Sequence, residues 1–281
     1  MSLHQSSIFR SCLIVLGVIG LAAVAAQPAS ATTLGQVLES IEGNPGHGAP
    51  CLRNTMEDAL PSELRRDECA AKVVGVFYVS LMRDRERLQI VREAIDRQRA
   101  LLAMIQERIE SGIGSSGDSL LAEIELKHWQ VVEAQLIGAV LHAELFFRSV
   151  LESEPSQMVR PRLAPSAWPE DDVSALAALA QQENLPEEEQ RALQSLLQHA
   201  WIDYKAAQRE FALLKPMSAF ARDLADRSQK IHDVGQLSFA ALLKRYRDAT
   251  SLQDAEVRAE YRLLTIQLQV LEILGRRSAI E

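Results

Sequence analysis

Two short interruptions, 123 residues apart, constrain this chain more than any other feature in it. The first is ERIESGIGSSGDSLLAE at 107–123, and the second is KIHDVGQLSFAALLKRY at 230–246. In each, a run with helical apolar spacing meets a glycine, stops, and resumes behind a serine. Gly112 corresponds to Gly235, Ser115 to Ser238 and Leu120 to Leu243, all at the same offset. A constant offset across several positions marks one supersecondary unit used twice. The residue types explain the break itself. A glycine adopts the left-handed conformation that ends a helix and supplies donors to its last carbonyls. Ser115 is placed to cap the next helix, with Asp118 reaching back as in a capping box. In the second copy Ala241 stands where the aspartate would be, so the serine cap remains without the reciprocal bond.

The stretches between the breaks carry a helical period. From Ala70 the apolar positions run Ala70, Val74, Phe77, Leu81, Leu88, Val91, Ile95, Leu102, Ile105 and Ile109, with gaps at Asp84 and Gln98. The steps alternate three and four, a period of about 3.5 that lays a helix along a partner as in a coiled coil. The spacing predicts helices over about 67–111, 118–151, 187–233 and 239–274, the third kinked or broken at Pro216. Connections of a few residues at each tip force antiparallel partners. Few glycines, prolines and aromatics agree with helix over sheet. The expected fold is all-α: two long antiparallel coiled-coil helical hairpins from an internal duplication, with little or no β. The charges between the stripes, Arg83 to Arg99, read as a solvated face with Glu93 and Arg97 as an i,i+4 pair.

The N-terminus reads as an export signal. MSLHQSSIFR precedes the apolar run CLIVLGVIGLAAVAA, and Ala29-Ser30-Ala31 fits an A-x-A cleavage site, so residues 1–31 are expected to be removed. No cysteine directly follows that site, which argues against a lipoprotein anchor, and no later segment has 18 uninterrupted apolar residues. The expected location is therefore the periplasm. In an oxidising compartment, Cys51 and Cys69 read as a disulfide whose loop contributes about 3 kcal/mol. Two unpaired thiols are the alternative.

Several function classes lose support. The net charge of −8, with both signs interspersed, speaks against nucleic acid. His47, His128, His142, His199 and His232 are scattered without a metal-binding spacing. No G-x-S-x-G elbow or phosphate loop is present. No catalytic residue, metal or cofactor is expected. Met56, Met82, Met104, Met158 and Met217 are too dispersed for a copper relay. Trp129, Trp168, Trp201, Phe77, Tyr78, Phe146 and Phe147 suit packing better than a membrane belt.

At the first break Arg108, Gly112, Ser115, Asp118, Leu120 and Ala122 spell R-x-x-x-G-x-x-S-x-x-D-x-L-x-A. This resembles the hairpin tip of TolC-like outer-membrane efflux proteins. Gly235, Ser238, Leu243 and Gly275 are similar to that family's second repeat. LGQVLESIEGNP at 34–45 is similar to its opening helix, and VSALAALAQQENLP at 173–186 echoes it. The resemblance divides the mature chain into two TolC-like helical-hairpin repeats, 32–155 and 156–281. It implies a homo-oligomer, a trimer in that family, or a mixed assembly with full-length members. The family's strand pairs would fall at about 46–66 and 186–190, where GHGAPCLRNTMEDALPSELRR and PEEEQ lack the alternation that a membrane strand needs. The function implied is therefore a barrel-less component of a periplasmic and outer-membrane efflux or secretion assembly. Its hairpin tips would dock a periplasmic adaptor (membrane fusion) protein of an inner-membrane pump. The docking residues would be Gly112, Ile113, Ser115 and Asp118, with Val234, Gly235, Leu237 and Ser238. A periplasmic scaffolding coiled coil without transport is the alternative.

Overall fold

A computed structural model describes residues 33–34, 36–37, 64–151, 158–160 and 187–273. It contains four long helices: α1 (Leu64–Glu110), α2 (Ser116–Leu151), α3 (Glu187–Asp233) and α4 (Phe239–Ile273). No strand occurs among the described residues. The duplication is visible in the elements themselves. Both α1 and α3 have 47 residues, and α3 begins 123 residues after α1, as α4 begins 123 after α2. Residues 187–190, one of the two places where strands would fall in a TolC-like chain, form the first turn of α3. The export signal, the opening segments of both repeats beyond Leu34, Gln36 and Val37, Trp168 and Cys51 lie outside the described residues, so the Cys51–Cys69 pairing does too.

α1 packs along α2 and α3 along α4, giving the two antiparallel hairpins. The hairpins meet mainly through α1 and α4, with a smaller contact between α2 and α4, so α2 and α3 are the outer helices. The apolar stripe of α1 goes where its period directs it. Val74, Leu81, Leu88, Val91, Ile95 and Ile105 are buried, with Phe77, Leu102 and Ile109 packed at the edges. Leu34 and Val37 join Val74, Tyr78, Val140, Phe147, Met158 and Tyr261 in a cluster at the end opposite the tips. Leu197, Trp201, Tyr204, Ile266 and Val270 hold the second hairpin together. Phe77 and Phe146 stack at 4.1 Å, and Trp129 and Trp201 are buried, so the described aromatics named above pack between helices.

The two gaps in the stripe are buried as well. Gln98 donates from Nε2 to the Ala122 carbonyl of α2 at 3.1 Å. Asp84 accepts from Arg83 at 2.8 and 3.0 Å and from Arg87 at 3.4 Å. A satisfied polar group in a heptad seam disfavours sliding of one helix past the other. The charged run of α1 is correspondingly not a plain solvated face. Arg85 pairs with Glu144 at 2.8 Å, Arg87 with Asp254 at 2.6 Å and Arg92 with Glu133 at 3.2 Å, each across to another helix. The expected Glu93–Arg97 pair does not form: Glu93 accepts from Gln89 at 3.1 Å, while Arg97 lies over the Tyr246 ring. Arg97 takes a tertiary partner in place of a local pair worth ~0.3 kcal/mol, and Glu93 keeps a local one in Gln89.

α3 runs unbroken through Pro216. The proline is exposed, so water can reach the carbonyl whose donor the ring removes. Residues 116–149 of α2 are long and apolar enough to span a membrane, by length and composition alone. That reading differs from the sequence-based one because α2 is apolar on two faces, one packed on α1 and one exposed.

Candidate functional site at the hairpin tips

Both tips are built by the same backbone motif. Gly112 and Gly235 have φ of 74° and 76°, the left-handed region that glycine reaches without a Cβ clash. At the first tip the Gly112 N–H donates to the Ile109 carbonyl and the Ile113 N–H to the Arg108 carbonyl, both at 2.9 Å. At the second, the Gly235 N–H donates to the His232 carbonyl at 2.8 Å and the Gln236 N–H to the Ile231 carbonyl at 3.0 Å. These paired bonds are the Schellman pattern, and they satisfy carbonyls that a helix end otherwise leaves without donors.

The serines cap the returning helices with different details. The Ser238 hydroxyl accepts from the Ala241 N–H at 3.3 Å, the expected N3 donor. The Ser115 hydroxyl instead accepts from the Gly117 N–H at 3.2 Å. Among the described residues Asp118 makes no reciprocal bond to Ser115, so the expected capping box is a single cap. Asp118 still sits in the first turn of α2, where its negative charge complements the helix dipole. Gly114, which the motif reading passed over, is held more tightly than Gly112. A Cβ there would lie 2.6 Å from the Ile109 nitrogen and 2.9 Å from the Arg108 carbonyl carbon. The doubled glycine in GIG was the available signal.

The structure brings both tips together at one end of the molecule. Leu101 and Ile105 of α1, Ala122 of α2, and Phe239, Leu242 and Leu243 of α4 form one cluster, with Ile109 and Leu237 packed against it. Leu237 is therefore half-buried, whereas Ile113 and Val234 are the large apolar side chains thrust outward, 74% and 69% exposed. Ser115, Ser238 and the two glycines are also exposed. A groove of about 290 Å³ opens beside the tips, lined by Arg97, Ala100, Leu101, Met104, Gln229 and Tyr246. Burial raises the Tyr246 hydroxyl above its ordinary pKa, and that hydroxyl donates to the Gln229 side chain at 3.1 Å.

Polar links fasten one hairpin to the other behind the tips. Glu125 of α2, 2% exposed, is bound through both carboxylate oxygens by Arg247 of α4. That bond holds the Arg247 guanidinium above its usual pKa. Arg87 reaches Asp254, and Arg97 lies 5.6 Å from the Tyr246 ring centre. Arg160 contacts both Glu86 and Glu260. Burial pushes the Glu86 carboxyl up, with Arg160 opposing. From the sequence, Arg97 read as half of a local pair and Glu86 and Arg87 as part of a solvated face, and the other residues were not singled out. Glu125 could have been, because it occupies a core position in the 122, 125, 129, 132, 136 series of α2. Among the described residues no three His, Cys, Asp or Glu side chains converge as a metal site.

No family model and no curated protein matches this chain in sequence. Solved structures do match in fold. The outer-membrane channel OprN is 15% identical over 86% of this chain and 70% of its own, with a TM-score of 0.54. The outer membrane protein VceC from Vibrio cholerae is 12% identical over 74% of this chain and 71% of its own, at 0.55. The Campylobacter jejuni CmeC outer membrane channel is 9% identical over 75% of this chain and 64% of its own, at 0.56. At such identities the likeness is one of architecture. With its duplicated hairpins and twin glycine–serine tips, this chain has the fold of the TolC-like outer-membrane channels.

Proposed function

We propose that the protein is an exported, TolC-like component of an efflux or secretion assembly between the periplasm and the outer membrane. It acts through its hairpin tips, which dock the helical hairpin of a periplasmic adaptor of an inner-membrane pump. The observation that carries this reading is the placement of both tips at one end, each closed by the same motif and each projecting one bare aliphatic side chain. Gly112 and Gly235 let the backbone turn without a side chain in the way, and Ser115, Asp118 and Ser238 hold the returning helices in place. Ile113 and Val234 are the anchors that a partner helix would cover, and Leu237 braces the second tip from beneath. A few well-packed residues near the centre of an interface supply most of its affinity.

The test is site-specific photocrosslinking in the native cell from positions 113 and 234. Adducts with a pump adaptor are expected from both positions and not from a mid-helix control at Gln89. Soluble periplasmic recovery with no adaptor adduct from either tip would reject the reading and favour a scaffolding coiled coil.

A further inference from the structure

One buried titratable side chain at the tips leaves a polar atom without a partner. His232, in the last turn of α3, is 6% exposed, and among the described residues nothing hydrogen-bonds its enclosed Nδ1. The ring lies edge-on to Phe239 of α4, with 6.0 Å between centroids. In a neutral imidazole Nδ1 is either an N–H without an acceptor or a lone pair without a donor, and burial makes both costly. The repeat shows that packing does not require a histidine there. Ile109 holds the equivalent place at the first tip and packs against the tip cluster. Gln106 and Glu110 likewise stand where the second tip has Gln229 and Asp233, so the amide and the acid are common to both. Among these three positions, the titratable ring is what distinguishes the second tip.

We infer that His232 is a pH-sensitive clasp that closes the second tip more firmly when its imidazole is protonated. The protonated ring is a donor at both nitrogens, and the Asp233 carboxylate lies 3.7 Å from Nδ1. The Asp233 side chain is 53% exposed, so a small rotation brings it within bonding distance. The last turn of a helix favours a cation as well. Asp233 is already tied inward. Its Oδ1 accepts from Gln229 Nε2 at 2.6 Å, and Gln229 Oε1 accepts from the Tyr246 hydroxyl of α4 at 3.1 Å. The Arg97 guanidinium of α1 lies 5.6 Å from the Tyr246 ring centre, and Asp226 of α3 is close enough to act on the same hydroxyl. A carboxylate has lone pairs for two donors, so protonation adds a bond at Asp233 without breaking the one to Gln229. Lys230, the other cation of the last turn, is exposed, and the first turn of α4, which meets the ring through Phe239, carries no acid. Only the protonated ring gives Nδ1 a charged partner. The clasp is therefore present in acid and lost as pH rises through the range, about 5 to 8, in which histidines titrate.

This inference goes beyond the proposed function and does not rest on adaptor docking, because it concerns the tip of the free chain. The test is amide hydrogen exchange of the full chain at about pH 5.5 and about pH 8, corrected for the intrinsic pH dependence of exchange. The Gly235 and Gln236 amides, which donate to the His232 and Ile231 carbonyls, are expected to be roughly three- to tenfold better protected in acid. The Gly112 and Ile113 amides of the first tip should show no such change. Two variants complete the test: His232→Ile, which installs the residue of the first tip, and Asp233→Asn, at a half-exposed side chain. Both should abolish the response of the second tip. No response there, an equal response at both tips, or a response that survives in Asp233→Asn would overturn the inference. Should His232→Ile fail to fold, Asp233→Asn decides alone. A pH-dependent second tip in a chain that captures no adaptor would instead reject the proposed function and leave the clasp standing.

Discussion

Removing Arg247 isolates one buried charge, and its cost follows from the geometry. Glu125 is 2% exposed, and every hydrogen bond to its carboxylate among the described residues comes from Arg247. Arg247→Ala leaves that buried carboxylate without a counterion. Breaking a buried pair from one side costs about 3–5 kcal/mol. The Arg247 side chain is 56% exposed, so water reaches one side of the pair, and the lower end, about 3 kcal/mol, is expected. For a chain of this size that corresponds to a fall in Tm of roughly 6–12 °C. The assay is thermal melting followed by circular dichroism at one fixed protein concentration, because self-association adds to apparent stability. One control separates charge burial from packing. Glu125→Leu with Arg247→Met should return to within about 1 kcal/mol of wild type, since an apolar pair fits the stripe. A loss below about 1 kcal/mol, or no recovery in the double variant, would refute the reasoning.

Two further perturbations test other parts of the structure. The Tyr78 hydroxyl donates to the Val159 carbonyl at 2.6 Å and accepts from the Val159 N–H at 3.1 Å, and burial pushes it up to about 12. Its stabilising contribution is therefore full below its ordinary value near 10 and lost as pH climbs toward 12, so alkaline melting should be shallower in Tyr78→Phe, which is also less stable by about 1–2 kcal/mol at neutral pH. At the first tip, Gly112→Ala meets open space and should lose only the left-handed penalty of about 1–2 kcal/mol. Gly114→Ala puts a Cβ against backbone and should lose more, with faster hydrogen exchange at the Ile113 and Gly114 amides, whose common acceptor is the Arg108 carbonyl.

Much of the architecture was legible because it is periodic. The four helices fall within three residues of the expected limits, and Gly112 and Gly235 end them as their residue type requires. Two of the corrected readings, Glu93–Arg97 and the Ser115–Asp118 capping box, are local pairings whose members take other partners. Arg97 takes Tyr246 on another helix, and Ser115 takes the nearer Gly117 amide.

From the residues alone came the duplication, the long hairpins and the left-handed elbows, since spacing and glycine act through bonds and neighbours a few positions away. Which charges would be solvated and which would join the hairpins depended on contacts between residues as far apart as Arg87 and Asp254, or Glu125 and Arg247. One-dimensional patterning marks an apolar face without saying what covers it. Only the packing of α1 on α4 showed that the equivalent faces of α2 and α3 lie bare, because burial belongs to pairs of surfaces and not to either one by itself.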